Sequence, residues 1–131
     1  MKQTFPKNER LCSKKIIDRL FEKGRTDVQT AYLFPFKVFY LFEESLTHAL
    51  PQVLFSISKR NFKKAVQRNL LRRRCREAYR KNKFSLTQNP DNQPPAYVAF
   101  VLIAKEEVTY AKIEKSMRQL LSTLSKPPQI Q

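Results

Sequence analysis

Apolar positions recur along this chain with two periods, and the switches between them predict its elements. From Ser13 to Lys23, the residues Ile16, Ile17, Leu20 and Phe21 fall at i, i+1, i+4 and i+5, which is one stripe of a helix. Ser13 is placed to cap that helix and Gly24 to stop it. Tyr32 to Phe42 (YLFPFKVFYLF) is aromatic and β-branched and reads as one strand, with Pro35 near its start or on an edge. After a connection over 43–51 comes a second strand from Val53 to Ser58. There Val53, Phe55 and Ile57 share one face, and Leu54, Ser56 and Ser58 the other. A long helix over 61–82 follows, whose Leu71, Cys75 and Ala78 (i, i+4, i+7) fall together with Tyr79 nearby as its inward stripe. Residues 85–95 (SLTQNPDNQPP) form a polar, proline-rich loop. The next segment, 96–104 (AYVAFVLIA), is apolar at every position, as expected of a strand covered on both faces and central in its sheet. Thr109 can cap a last helix in which Ile113, Met117, Leu120, Leu121 and Leu124 face the core, and 126–131 is expected to be a flexible tail.

The predicted order, α-β-β-α-β-α, gives an α+β fold: a small β-sheet packed with helices in an α-β sandwich. A chain of 131 residues suits one domain, 1–131, and no internal repeat is visible. The second predicted strand, the long helix and the apolar strand make a β-α-β unit.

Charge changes the picture at that long helix. The chain carries a formal charge of +15, and eleven of those charges come from the run between Lys59 and Lys83, with twelve basic residues against Glu77 alone. Arg68, Arg72 and Arg76 form a ridge beside the inward stripe, while Asn69, Arg73 and Arg80 lie further round. A merely solvated helix mixes acids with bases, because like charges at i, i+4 repel by a few tenths of a kcal/mol per pair. Several such pairs without acids imply that an external polyanion supplies the missing charge.

Candidate chemistry by side chains is sparse. His48 lies in a predicted turn with no Ser or Cys partner pattern, and Gly24 is the single glycine, so no phosphate-cradling glycine loop can be built. Glu43–Glu44 and Glu106–Glu107 are adjacent pairs at strand ends. Neighbours on extended chain point to opposite faces, which suits turns better than a paired-carboxylate site. Cys12 and Cys75 lack metal-ligand spacing and read as reduced thiols of a cytoplasmic protein. No apolar run reaches the roughly 20 residues of a membrane span, and the N-terminus lacks the apolar stretch of a signal peptide. No catalytic residue and no protein-bound metal is expected.

The residues of the basic run, in their order, add a resemblance. F-S-I-S-K-R followed by A-V-Q-R-N-L-L-R-R-R-C-R-E-A-Y-R is similar to the signature of the bacterial ribonuclease P protein subunit, an S-V-S-K-K stretch and a helix with R-N-R-x-K-R-x-x-R-E-A-F. The matching positions are Ser56 to Arg60, then Arg68, Asn69, Arg72, Arg73, Arg76, Glu77, Ala78 and Tyr79. The similarity extends to R-L-F-E-K-G (19–24), to V-L-I-A-K (101–105) and to the last helix, and so covers nearly the whole chain. Leu70 stands where the motif has its second arginine, Leu54 and Lys63 where the family has glycines, and Ile17 where it often has an aromatic. Arg74, where the family often has an apolar residue, is a candidate to compensate for Leu70.

What the resemblance implies is the accessory subunit of a ribonucleoprotein endoribonuclease that removes the 5′ leader of precursor tRNA by phosphodiester hydrolysis. In that family the RNA subunit is the catalyst and holds most of the essential Mg²⁺, and the fold is like the second domain of ribosomal protein S5, with a left-handed β-α-β crossover. The implied partners are the catalytic RNA, in a 1:1 complex with a monomeric protein, and the leader of precursor tRNA; no membrane partner is implied. Lys59, Arg60, Lys64, Arg68, Asn69, Arg72, Arg73 and Arg76 would bind RNA. Ile17, Phe21, Phe36 and Tyr40 would line a leader-binding cleft between the first helix and the sheet, the aromatics as stacking surface. The other reading, from a different class, is a structural RNA-binding protein of ribosomal type with no role in tRNA processing.

Overall fold

In a computed structural model, the chain is described at residues 5, 7–23, 27–43, 50–87 and 93–124. Gly24, Glu44, His48, positions 88–92 of the proline-rich loop and the tail over 126–131 lie outside the described residues. The elements run α1 (Lys14–Phe21), β1 (Val28–Leu33), β2 (Phe36–Leu41), β3 (Gln52–Ile57), α2 (Ala65–Asn82), β4 (Tyr97–Leu102) and α3 (Tyr110–Leu124). Short 3₁₀ turns at Lys7–Glu9 and Lys83–Thr87 precede α1 and follow α2.

The expected α+β class holds, with one more strand than the sequence pattern predicts. The aromatic segment 32–42 is not one strand but the end of β1, a two-residue turn at Phe34–Pro35, and β2. Pro35 has no N–H to give to a ladder, so it sits in the turn of an antiparallel hairpin that pairs Leu33 with Phe36 and Val28 with Leu41. The Phe34–Pro35 peptide bond is cis. Among the described residues the sheet order is β1-β2-β4-β3, with β3 and β4 parallel and the other pairs antiparallel. The apolar strand β4 is therefore central, as its composition predicts.

Alternation along the strands divides the side chains between two cores. Phe36, Val38 and Tyr40 of β2, Val53, Phe55 and Ile57 of β3, and Val98, Phe100 and Leu102 of β4 face α2 and α3. Phe100 is the hub of this core: its ring stacks on Phe55 at 5.4 Å and meets Phe36 edge-on at 5.7 Å. From the helices come Leu71, Cys75, Ala78 and Tyr79 of α2 and Ile113, Met117, Leu120, Leu121 and Leu124 of α3, all buried. The opposite face of the sheet carries α1. Here Leu20 is buried with Leu11, Leu41 and Ala99, and Ile16, Ile17, Phe39 and Leu54 pack around them. Ser13 caps α1 by accepting from the Ile16 amide at 3.4 Å, and Thr109 caps α3 by accepting from the Lys112 amide at 3.3 Å. Helix α1 is clamped from outside as well, because Arg19 pairs with Asp27 at 2.7 Å and Glu43 at 3.2 Å. One helix on one face and two on the other leave α1 as the thinner cover, and the basic face of α2 points away from both cores.

Candidate nucleic-acid interface

The interface begins in the turn from β3 to α2. Ser58 Oγ accepts from the Arg60 amide at 3.0 Å, the Ser58 carbonyl accepts from the Phe62 amide at 3.0 Å, and Phe62 is buried as an anchor. This local bonding delays the helix to Ala65, four residues later than the periodicity predicts, and leaves Lys59, Arg60, Lys63 and Lys64 exposed in the turn. Lys64 occupies the N-cap of α2 with no side-chain cap bond, and the first turn holds no acid. The positive end of the helix dipole and four basic side chains thus share one place, which suits phosphate oxygens.

Arg68 does something the sequence does not reveal. Its Nη1 donates to the carbonyls of Phe62 at 2.8 Å and Lys63 at 2.9 Å, so the guanidinium pins the turn against the helix. Further along, Arg72 Nη1 donates to Asn69 Oδ1 at 3.2 Å, while Asn69, Arg73 and Arg76 are exposed. Asn69, Arg72, Arg73, Arg76 and Arg80 line one side of a groove of about 590 Å³, whose other side is Phe5 and Arg10 of the N-terminal segment. Glu77 also lines it, but its carboxylate is held by the Arg80 guanidinium, with Nε to Oε2 at 3.0 Å. That bond, above all, holds the Glu77 carboxyl below its ordinary pKa. Burial first, then the charges of Arg10 and Arg72, lowers the pKa of Arg76. An arginine remains protonated all the same, so the groove is a concentration of fixed positive charge.

Besides Arg68 and Arg80, two more basic residues of the run are committed to structure. Arg74 Nη1 donates to the Val108 carbonyl at 2.7 Å and meets Glu107 at 3.3 Å, tying α2 to the start of α3. Those bonds hold it away from the groove that Arg72 and Arg76 line, and Leu70, where the motif has an arginine, is half-buried. Lys83 is buried at 1 % exposure, with its Nζ 2.7 Å from Glu9 Oε1.

The cleft on the other face needs a correction. Of the four residues expected to line it, Ile17 and Phe21 do lie against the sheet, with Phe21 exposed at 39 %. Phe36 and Tyr40 do not: they belong to the core beneath α2 and α3, and Phe36 is wholly buried. Burial also raises the pKa of the Tyr40 hydroxyl. The aromatic that meets α1 is Phe39, one residue out of step, whose ring contacts Phe21 edge-on at 5.0 Å and lies 5.2 Å from Lys37 Nζ. Lys37 marks the open face in the sequence itself, since it shares a side with Phe39 and cannot share one with the core. Tyr32, opposite Lys37 in the hairpin and 69 % exposed, extends that open face. Arg10, by contrast, has no periodic signal, because it precedes the first regular helix.

Known proteins are similar to this chain in sequence and in fold. Residues 5–125 match the family model for Ribonuclease P. The chain is 32 % identical over 116 residues to the Ribonuclease P protein component of two Porphyromonas gingivalis strains, covering 88 % of this chain and 82 % of theirs. Solved structures of the Staphylococcus aureus RNase P protein have the same fold. One, a mutant with defective mRNA degradation activity, superposes with a TM-score of 0.65 at 20 % identity over 88 % of this chain and 86 % of the other. A second gives 0.64 at 18 % identity, over 86 % and 92 % of the two chains. With a motif-bearing arginine helix, a matching fold and relatives at this identity, the chain belongs to the ribonuclease P protein family, the protein component of a ribonucleoprotein endoribonuclease of tRNA processing.

Proposed function

We propose that this chain binds the catalytic RNA of ribonuclease P through α2 and the turn before it, and receives the 5′ leader of precursor tRNA between α1 and the sheet. The observation that carries the reading is the acid-poor surface of Lys59, Arg60, Lys64, Asn69, Arg72, Arg73 and Arg76, with the sole acid of the run neutralised by Arg80. Planar guanidinium forks bind phosphate oxygens in pairs, and Asn69 adds an amide that donates and accepts. Arg68 acts by holding the turn in which Lys59 and Arg60 are presented. On the opposite face Phe21 and Phe39 offer rings, with Lys37 beside them for the backbone of a single strand.

Cleavage itself is assigned to the RNA, which holds most of the Mg²⁺. The protein's part is then electrostatic: it neutralises phosphates that would otherwise demand more cation, in a 1:1 complex. No helix among the described residues is long and apolar enough to cross a membrane, and the reading places the protein in the cytoplasm.

Reconstitution tests this. Added to its cognate ribonuclease P RNA at low Mg²⁺, the protein should raise both the cleavage rate and the affinity for leader-bearing precursor tRNA. Unchanged cleavage, with co-sedimentation on ribosomal subunits, would instead support a structural RNA-binding role.

A further inference from the structure

The groove along α2 has two walls, and only one of them is the arginine helix. We propose that the N-terminal segment is the second wall of the RNA site, with Arg10 as a phosphate ligand working jointly with Arg76. This rests on the reading that α2 binds RNA, and adds to it a residue from outside the basic run.

The backbone of this segment is fixed independently of the Arg10 side chain. The Arg10 amide donates to Lys7 O at 3.1 Å, the Leu11 amide donates to Val53 O at 2.9 Å, and Arg10 and Val53 make a parallel bridge on the edge of β3. Leu11 is buried beneath the sheet, and Glu9 is anchored to Lys83. Phe5 packs edge-on against Tyr79 at 5.6 Å and Phe55 at 5.9 Å. Between these anchors the Arg10 side chain stays exposed, with its guanidinium 5.4 Å from the Phe5 ring centroid and one N–H donated to the Phe5 carbonyl at 3.2 Å. A guanidinium carries five donors, so others remain for an anion.

What faces Arg10 across the groove is Arg72, Arg73 and Arg76, and the one carboxylate there is taken by Arg80. Like charges brought together by tertiary structure repel. Yet the N-terminal segment, anchored at several points, delivers a fifth arginine to the groove, where Arg80 is paired with Glu77 and Arg72, Arg73 and Arg76 already stand. A phosphate seated between the two walls removes that repulsion and draws paired hydrogen bonds from both. The Phe5 ring beneath Arg10 holds the fork in place before the anion arrives.

The experiment measures the affinity of the full-length protein for its cognate ribonuclease P RNA across a salt series, together with thermal stability. Arg10→Ala should weaken binding roughly five- to tenfold, as the loss of one charge-assisted contact. It should lower the slope of log K against log salt by about 0.7–0.9 and leave the melting temperature near the wild type. Arg10→Lys should keep the slope, because the charge is kept, and bind more weakly than wild type. Arg10→Ala combined with Arg76→Ala should lose less than the sum of the two single changes, since both serve one phosphate. Should Arg10→Ala fail to fold, Arg10→Gln, which retains the stem and an amide over Phe5, takes its place in the same measurements. A wild-type slope and affinity for Arg10→Ala beside a reduced slope for Arg72→Ala would overturn the proposal and leave the α2 reading standing. Wild-type slopes for Arg72→Ala and Arg76→Ala as well would overturn both.

Discussion

Arginines on one helix look interchangeable in a sequence, and their bonding separates them. Arg72 and Arg76 flank the groove, whereas Arg74 gives its Nη1 to a backbone carbonyl on the other side of the helix. Arg74→Ala should therefore cost about 1–2 kcal/mol of stability, the range of a charge-assisted hydrogen bond discounted for partial exposure. The salt dependence of RNA binding should not move. Urea unfolding and an RNA titration across salt check both halves, and a reduced slope would return Arg74 to the interface. The two cysteines divide in the same way. Cys75 is buried against Leu71 and its neighbours, and burial pushes its thiol up to about 12, with the Arg72 charge opposing only in part. Its thiolate, the reactive species, is therefore scarce at pH 8. Iodoacetamide on the native protein at that pH should label exposed Cys12, and label Cys75 only once denaturant is added. Mass spectrometry reads the result directly, and rapid native labelling of Cys75 would mean that α2 lifts from the sheet.

At the scale of elements, α2 and β4 were legible in the sequence for a shared reason. Each has a single environment along its length: one inward stripe for α2, apolar cover on both faces for β4. The hairpin was not. Strand β1 (VQTAYL) is an edge strand with mixed polarity, and Tyr32 on it stands open to solvent, so no alternation announces it. The start of α2 was misplaced because Ser58 and Arg68 close the preceding turn through bonds that periodicity does not encode. The face assignment on β2 rested on aromatic character, which does not separate its two sides, although Lys37 beside Phe39 marks the open one. Phe36 and Phe39 are equally aromatic, and which side receives two helices rather than one is decided by α2 and α3, far along the chain. The same geometry gives a test of the cleft. Phe39→Ala and Phe21→Ala should each reduce affinity for the leader by about 1–3 kcal/mol if a base stacks there, with little change for tRNA lacking a leader. Phe36→Ala should instead destabilise the whole protein by about 3–5 kcal/mol, with no preference for leader-bearing substrate once folded. Equal losses on both substrates for Phe39→Ala would mean that its ring serves the core alone.

Across the whole molecule, one contact between distant parts of the chain ties the N-terminal wall of the groove to the end of α2. Glu9 and Lys83 are 74 positions apart, and their 2.7 Å pair closes the N-terminal segment onto the end of α2. The lysine side chain is 1 % exposed and the glutamate 16 %, so the pair is held largely away from water. Beside it the Tyr79 hydroxyl is wholly buried, and burial with the nearby Glu9 charge raises its pKa. Such a pair contributes little net stability compared with apolar residues of the same volume, but breaking it from one side is costly. Glu9→Ala should therefore destabilise the protein by about 3–5 kcal/mol, and Lys83→Met paired with Glu9→Leu should recover most of that loss. Urea denaturation of Glu9→Leu, Lys83→Met and the double variant measures the coupling between the two side chains. Additive losses would show that the two side chains act separately. The double variant also distinguishes closure from charge: if the N-terminal segment needs only to be held down, this variant should keep the RNA affinity and salt slope of the wild type while lacking the ion pair. A slope reduced as far as in Arg10→Ala would mean that the pair itself sets the position of Arg10, and that apolar packing at the same place cannot substitute for it.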